Sequence, residues 1–289
     1  MYDYSIIINS SCDLSEEVRK ELDLTLAPLK FTIDGKEYIN YLDYRNLDVK
    51  EFYKLIRNGK IATTSQLNVS EYTDLIEQEF KKGKDVLILA FSSALSGTYN
   101  SARIAAESFE GHKNKVYLVD TQAASLGEGL IAYIAGLKRK EGYTIEKLYR
   151  YIEEIKINVA HWFTVDDLMF LRRGGRLGGA SAIIGSLLAI KPVLHVDIEG
   201  RLIPMEKVRG RKKALQSLVD KVLETHDPNL PKDVFISHGD DLEAALTVKE
   251  KIEALGLGLE VKLINYIGPV IGAHSGPGTI AVFFFATQR

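Results

Sequence analysis

The chain has 289 residues, of which 46% are hydrophobic and 26% charged, and this composition suits one or two globular domains with a buried core. Its formal net charge of −2 excludes a broad positive field that would hold nucleic acid or an anionic membrane. Cys12 stands alone, so no internal disulfide can form and we expect a cytoplasmic protein. The first residues have neither a basic run nor a long apolar run, so we expect no signal peptide.

Short β-branched runs alternate with amphipathic helices in the first half of the chain. These nearly continuous apolar runs lie at 4–9, 85–91 and 115–121. Such runs are typical of strands that are covered on both faces. A helical pattern at 69–83 lies between two of them, with Ser70 predicted as its N-cap and Gly83 just past its end. The alternation predicts a parallel sheet with helices on both faces.

The second half of the chain predicts a different, mostly antiparallel sheet. After a helix at 144–157, residues 191–208 have the pattern of two antiparallel strands joined at Glu199-Gly200. Another helix, at 211–226, precedes three further strands. These later strands are predicted at 233–239, 260–267 and 279–285. We therefore predict an α/β protein of two domains, an α/β domain at 1–157 and an α+β domain at 158–289.

Two shorter segments have local signatures of their own. Asp34-Gly35 predicts a hairpin turn within residues 31–42. The apolar stretch at 180–190 is too short to span a bilayer, and we predict that it forms a buried helix. We therefore expect no stable insertion into a membrane.

The loop at 92–98 follows an apolar strand and precedes an alanine-rich helix. It therefore lies at the carboxyl edge of the predicted sheet, where ligands bind in open α/β proteins. Gly97 permits close approach of the backbone, and the helix start offers unpaired N–H groups to an anion. The alternative is that Ser96 or Thr98 only caps the helix.

Two further polar segments contain candidate binding residues. Thr63 and Thr64 precede another helix, where hydroxyls most often serve as caps or turn bonds. His274 and Ser275 stand among glycines and prolines near the end of the chain. A neutral imidazole can donate one hydrogen bond, and an imidazolium can oppose an anion. We interpret four other histidines as structural or surface residues, namely His112, His161, His195 and His238.

Arginines cluster at two places in the second half. Arg172, Arg173 and Arg176 stand among glycines, and Arg209 belongs to a basic run at 207–213. One interpretation is a solvated turn and a solvated helix start. The other is an anion site or a patch for docking a partner, because arginine binds phosphates and carboxylates bidentately.

The common motifs of cofactor and metal enzymes are absent from the sequence. It contains no phosphate-binding G-x-x-x-x-G-K-[ST] loop, no H-E-x-x-H, no paired cysteines and no G-x-S-x-G. We therefore expect no cofactor, no metal and no nucleotide site. Hydrolysis by a serine–histidine pair stays open, with Ser96 as the nucleophile and His274 as its base.

Six motifs that run nearly from end to end resemble the DegV family of bacterial fatty acid-binding proteins, which partner a fatty acid kinase. They are NSSCDLS, TTSQ, SSALSGTYNSA, LRRGGRL, KPVL…GRLIPMEKVRGRKKAL and IGPVIGAHSGPG. Each motif alone is weak, whereas their order and spacing together are specific. The resemblance implies two α/β domains with one long-chain fatty acid in a buried tunnel between them.

The resemblance also implies which residues do what. The fatty acid carboxylate would be bound by Thr64, Ser96 and His274, with Thr63 as a near alternative to Thr64. Gly97 and Ser275 adjoin these positions and are included in the predicted site. The chain would be a carrier and not an enzyme. A separate kinase would phosphorylate the bound carboxylate to an acyl phosphate for phospholipid synthesis.

The arginines would then dock that kinase, and the candidates are Arg172, Arg173, Arg176 and Arg209, with Arg173 and Arg209 foremost. Two positions depart from the family pattern. Asn9 stands where the family usually has aspartate, and Leu67 stands where it usually has proline.

Two rival functions follow from the same residues. The first is an esterase or thioesterase that uses Ser96 and His274. The second is a kinase subunit like that of dihydroxyacetone kinase, in which a histidine holds the substrate covalently. The apolar lining expected of the tunnel disfavours a small polar ketone.

Overall fold

A computed structural model describes residues 2–177, 190–287 and 289. The strands are β1 (Tyr4–Asn9), β2 (Thr25–Ala27), β3 (Lys30–Ile33), β4 (Lys36–Ile39), β5 (Ala62–Ser65), β6 (Asp85–Ala90), β7 (Val116–Asp120), β8 (Val159–Thr164), β9 (Ile190–Val196), β10 (Leu202–Arg209), β11 (Asp233–His238), β12 (Glu260–Tyr266) and β13 (Ile280–Phe285). The helices are α1 (Glu16–Glu21), α2 (Val49–Arg57), α3 (Val69–Lys81), α4 (Thr98–Glu107), α5 (Leu126–Lys140), α6 (Ile145–Ile155), α7 (Met169–Arg173), α8 (Arg211–Thr225), α9 (Leu242–Glu253) and α10 (Pro269–Ser275). Of the buried helix predicted at 180–190, all but Ile190 lies outside the described residues.

The three apolar runs predicted in the first half form a parallel sheet, which we call sheet A. Its strand order is β2-β1-β6-β7, and each neighbouring pair is parallel. Successive side chains of β1 enter opposite cores, as the period of two in a strand requires. Ile6 and Ile8 pack with α5 and α6, whereas Ile7 packs with α2, α3 and α4. The prediction of a parallel sheet covered on both faces is confirmed.

A small antiparallel sheet, sheet B, has the order β4-β3-β5. Asp34 and Gly35 form the turn between β3 and β4, both with positive φ, so the predicted hairpin is confirmed. The third strand, β5, pairs with β3 and was not predicted. Its sequence, ATTS, is short and polar, and only long-range pairing with β3 identifies it as a strand.

The second half forms the six-stranded sheet C, with the order β10-β9-β8-β13-β11-β12. Its neighbours are antiparallel except for β11 and β12, which confirms the predicted mostly antiparallel sheet. One face packs against α8 and α9. The other face packs against α5, which also packs against sheet A, so both sheets share one apolar core. A cavity lies between this second face and the loops of the first half of the chain, and it contains the candidate site described below.

Helix α3 begins two residues earlier than the sequence pattern predicted. Asn68, and not Ser70, is its N-cap, so that prediction is wrong. The Asn68 side chain accepts from Glu71 N–H, and the Glu71 carboxylate accepts from Asn68 N–H. This reciprocal capping box satisfies two N–H groups at once, which a serine at position 70 would not do. Gly83, with φ +75°, follows the end of the helix as predicted.

None of the helices in the described part of the chain has the length and apolar character needed to cross a bilayer.

Candidate functional site

A cavity of about 410 Å³ lies between sheet C and the loops at the carboxyl edge of sheet A. Its volume falls in the range of small-molecule sites. Apolar side chains from both halves of the chain form most of its wall. They include Leu29, Phe91, Phe163, Leu202, Ile271 and Phe283. A ligand in this cavity would lie mostly against apolar side chains.

Polar groups meet at one end of the cavity, and we call this end the head-group site. Thr64 on β5, Ser96 in the loop before α4 and His274 on α10 all line it. Thr64 Oγ1 lies 2.8 Å from His274 Nε2, within hydrogen-bond distance. Residues from sheet B and from the segment after β12 are thereby joined directly.

Ser96 contributes to the cavity wall and to the start of α4 at once. Its Oγ accepts a hydrogen bond of 3.2 Å from Thr98 N–H and lies 3.0 Å from Thr98 Oγ1. Ser96 can therefore bond the start of α4, as the alternative interpretation predicted, and line the cavity at the same time. Gly97 is the N-cap residue of α4. A Cβ on Gly97 would come 2.0 Å from Gln66 Oε1, so glycine at this position lets the loop after β5 pack against the start of α4.

His274 is neutral at pH 7 in this structure. Burial, followed by the positive charge of Arg176, lowers its pKa to about 4. Nε2 faces Thr64, while Nδ1 is buried and has no hydrogen-bond partner among the described residues. Because Nδ1 lies against Gly174, where a Cβ would come 2.2 Å from it, the nitrogen that could donate a hydrogen bond to an anion in the cavity is Nε2. His274 is a weak general base, because its pKa lies far below neutral pH.

Arg176 lies in the wall of the cavity, although the sequence predicted it as a docking residue. Its Nε donates to Leu95 O over 3.1 Å, and a terminal nitrogen donates to Gly174 O. These bonds hold a positive charge next to the head-group site. An anion bound there would be attracted to it, and the attraction is strong where water is excluded.

The remaining predicted site residues occupy different positions. Thr63 is exposed, because neighbouring residues of β5 face opposite sides of sheet B. Ser275 is buried beside His274 and lines the cavity. Arg172, Arg173 and Arg209 are exposed, and none of them joins an ion pair within the described parts of the chain. Lys191 and Arg211 nearby both pair with Asp166.

The interpretation of His161 as a structural or surface residue missed its place in the cavity. His161 is buried, with 1% of its surface exposed, and lines the wall together with Ser11 and Ser125. We call these three residues the inner polar site. Glycine and proline surroundings, which drew attention to His274, are absent around His161. The only sequence signal is the alternation of side chains along β8, which puts His161 on the same face of the strand as Phe163.

Two buried acids support the inner polar site. Ser125 Oγ donates to Asp13 over 2.6 Å, and Ser11 Oγ donates to Glu128 over 2.8 Å. Burial raises the pKa of Asp13 to about 7, although bonds from Ser125 and Gly268 act in the opposite direction. Burial also raises the pKa of Glu128 well above its usual range. Within the described residues, no group of three or more His, Cys, Asp or Glu side chains is arranged to hold a metal ion.

The two departures from the family pattern are both buried. Asn9 Oδ1 accepts from Phe91 N–H over 3.0 Å, and its Nδ2 donates to Tyr72 over 2.8 Å. These bonds fix the start of the loop that carries Ser96. Leu67 is buried in the apolar core that also contains Tyr72, and this packing anchors the segment after β5.

The structure is an α/β fold with a mostly apolar cavity that is polar at the head-group site and at the inner polar site. The model of the family described as "Uncharacterised protein, DegV family" matches residues 3–287. A DegV domain-containing protein of Clostridium perfringens is 42% identical over 292 residues, which span 100% of this chain and 99% of that relative. The chain therefore belongs to the DegV family.

Solved structures of two relatives have the same fold over almost their whole length. One, described as fatty acid binding of a DegV family protein from Thermus thermophilus, gives a TM-score of 0.86 at 32% identity, covering 99% of this chain and 100% of that one. The other is DegV, a fatty acid binding protein from Bacillus subtilis, with a TM-score of 0.85 at 31% identity and the same coverage.

Proposed function

We propose that this chain binds one long-chain fatty acid in the cavity, with the carboxylate at the head-group site and the acyl chain along the apolar wall. The observation that carries the proposal is a mostly apolar cavity of about 410 Å³ whose wall includes Thr64, Ser96 and His274, with Thr64 and His274 in direct contact. Each buried CH₂ group contributes roughly 0.8 kcal/mol. The relatives from Thermus thermophilus and Bacillus subtilis, both described as fatty acid binding, support it.

The head-group site meets the requirements of a buried carboxylate. Such a group is costly to bury unless hydrogen bonds or a positive charge compensate. Thr64 and Ser96 offer hydroxyls and His274 offers an N–H, with Gly97 and Ser275 beside them. The carboxylate would take over the bond that now joins Thr64 to His274. The charge of Arg176 would stabilise the anion further, so we add Arg176 to the predicted carboxylate-binding residues.

The second part of the proposal is that the chain presents this carboxylate to a fatty acid kinase and does no chemistry itself. Phosphoryl transfer depends mainly on positioning and on charge stabilisation, which the kinase would supply. Arg173 ends α7, and Arg209 pairs with Ile190 at the end of β10. Both positions belong to the end of sheet C where β8 finishes, which is also the end nearest α10. Exposed positive charge at this end supports docking beside the head group.

We further propose the domain division at residue 157/158 and a cytoplasmic location. Strands β1 to β7 all belong to sheets A and B, and β8, which begins at Val159, opens sheet C. The change of sheet at this point supports the boundary. The cavity would then lie between the two domains. The lone, buried Cys12 fits a reducing compartment.

The geometry favours the hydrolase alternative less. His274 Nε2 pairs with Thr64 and not with Ser96, whose Oγ is bonded to Thr98. The lowered pKa of His274, about 4, makes it a poor base. A hydrolase would cleave an acyl ester with the purified chain alone and would lose this activity in Ser96→Ala. We expect that neither the wild-type chain nor the Ser96→Ala variant cleaves an acyl ester.

The test is a titration of delipidated protein with palmitic and oleic acids. We expect one molecule bound per chain. Ala281, on β13, lines the cavity, so Ala281→Leu would fill it and weaken binding about tenfold or more, as overpacking costs about 1–3 kcal/mol. Val282→Leu is the matched control, because Val282 faces α8 and α9. Absence of saturable binding, or equal effects of both variants, would overturn the proposal.

A further inference from the structure

Asp13 joins the two halves of the chain behind the cavity wall. It is buried, with 1% of its surface exposed, and both of its carboxylate oxygens accept hydrogen bonds. Oδ2 accepts from Ser125 Oγ over 2.6 Å, and Oδ1 accepts from Gly268 N–H over 3.0 Å. Asn265 Nδ2 also donates to the backbone carbonyl of Asp13 over 2.8 Å. Asp13 therefore connects the segment after β1 with the start of α5 and with the turn between β12 and α10.

Each segment that Asp13 connects contributes to the cavity. Ser11 precedes Asp13 by two positions and lines the wall, and Ser125 is itself part of the wall. Gly268 is the N-cap residue of α10, and that helix carries His274 to the head-group site. Asp13 lies behind these residues and does not itself line the cavity. It can therefore affect a ligand only through the residues that it holds.

The backbone of Ser125 depends on this contact. Ser125 has φ +52° and ψ −143°, close to a region of conformational space that is essentially occupied only by glycine. Such strain persists only where surrounding contacts hold it, and it is concentrated at functional sites. The Ser125 hydroxyl donates to Asp13 and lies 3.0 Å from Ser237 Oγ on β11. The bond to Asp13 thus holds a strained residue of the cavity wall in place.

The contact between Asp13 and the start of α10 is equally close. A Cβ on Gly268 would come 2.8 Å from Asp13 Oδ1, so glycine at this position lets the carboxylate reach the N–H. α10 has only seven residues, and a shift of its first turn therefore also moves His274. His274 Nε2 lies 2.8 Å from Thr64 Oγ1, a distance that a small shift would break. Hydrogen bonds from behind a site keep its side chains within about 0.5 Å of a productive geometry.

We propose that Asp13 is a positioning residue for fatty acid recognition, which fixes α10 relative to Ser125 and so keeps His274 directed at the carboxylate of the ligand. The inference rests on the proposed function. Loss of the Asp13 carboxylate frees the start of α10 and the Ser125 hydroxyl together. The part of the affinity that depends on the ligand carboxylate then falls, whereas the contacts of the acyl chain with the apolar wall remain.

The experiment compares the affinities of the delipidated chain for oleic acid and for oleyl alcohol, which has the same acyl chain but no carboxylate. Asp13→Gly removes the side chain, and glycine tolerates the φ of +52° at this position. We expect its acid-to-alcohol affinity ratio to fall about tenfold from the wild-type value, the equivalent of about 1.4 kcal/mol. Asp13→Asn can still accept from Gly268 N–H and can donate to Ser125 Oγ, so its ratio should stay within about twofold of the wild type.

Glu79→Ala is the matched control. Glu79 is a buried acid on α3 that accepts from Ser5 Oγ over 2.5 Å and pairs with Lys82, and it does not line the cavity. Its removal should lower stability and leave the affinity ratio at the wild-type value. If Asp13→Gly bound the acid and the alcohol with an unchanged ratio, or if Asp13→Asn lost as much as Asp13→Gly, the positioning role would be wrong. If the wild-type chain did not bind oleic acid, the proposed function would be wrong instead.

Gly268→Ala tests the same contact from the other side and replaces Asp13→Gly if that variant does not fold. Gly268 has φ −67°, which alanine adopts, but the added Cβ would displace the Asp13 carboxylate. We expect the acid-to-alcohol ratio to fall in this variant as well. A wild-type ratio in Gly268→Ala would show that α10 keeps its position without the bond to Asp13, and would overturn the inference.

Discussion

Thr64 Oγ1 and His274 Nε2 are 2.8 Å apart although 210 positions separate the two residues in the chain. The bond joins sheet B to α10 at the polar end of the cavity. It also distinguishes Thr64 from its neighbour Thr63, which is exposed on the opposite face of β5. The sequence alone left both threonines as candidates.

Thr64→Val removes the hydroxyl and keeps the shape of the side chain. We expect fatty acid affinity to fall about ten- to hundredfold, because a hydrogen bond to a charged group is worth about 1.5–3 kcal/mol. Equilibrium titration with oleic acid measures the effect. Thr63→Val, on the same strand, should bind like the wild type. If Thr63→Val instead lost affinity and Thr64→Val did not, the carboxylate would belong to Thr63.

Reversing charge at Arg173 and Arg209 should impair transfer and leave binding intact. In the double variant Arg173→Glu/Arg209→Glu we expect acyl phosphate formation by the proposed partner kinase to drop about tenfold or more, since like charges across an interface cost several kcal/mol. Fatty acid affinity should not change. Arg201→Glu is the control, because Arg201 is exposed at the other end of the β9–β10 hairpin. A parallel loss of binding would exclude a docking role.

The buried Asp13 makes stability depend on pH. Its pKa in the folded chain is raised to about 7, so between the unfolded value of 3.8 and 7 the folded state binds more protons than the unfolded state. Stability must therefore fall as pH rises through this window. Relative to Asp13→Asn, the wild type should lose roughly 2–4 kcal/mol between pH 5 and pH 8, at about 1.4 kcal/mol per pH unit.

Urea unfolding of both proteins at the two pH values measures this difference. Asparagine suits the position, because Asp13 has φ +52° and asparagine tolerates that conformation. Its amide can still accept from Gly268 N–H as Asp13 does over 3.0 Å. Equal pH dependence of the two proteins would show that Asp13 is ionised in the folded chain.

Most of the fold could be predicted because local pattern and final environment agree. The run YSIIIN is buried throughout β1 and has three consecutive isoleucines at its centre, and the Asp34-Gly35 turn adopts the positive φ that its residues favour. Strand β5 could not be predicted in this way. Its residues have no apolar alternation, and its place depends on pairing with β3 across the chain.

The site was predictable only where a local signal marked it. Glycines surround His274 and Gly97 adjoins Ser96, so both segments attracted attention as loops. His161 lies inside a strand, and its position in the cavity depends on the register of β8 with β13. Arg176 was assigned to the exposed cluster with Arg173, yet the turn after α7 directs it towards Leu95. Neither register nor turn direction can be read from one sequence.

The proposed carboxylate-binding residues come from three parts of the fold, since Thr64 belongs to sheet B, Ser96 follows strand β6 of sheet A and His274 follows β12 of sheet C. An acid held by all three acts as a cross-link that only the assembled chain can form. Fatty acid binding and folding would therefore be thermodynamically coupled. The chain with bound fatty acid would unfold at a higher temperature than the chain without it. Under the proposed function, this increase in stability grows with the logarithm of the free fatty acid concentration, so the lifetime of the chain in a cell would follow its supply of fatty acid.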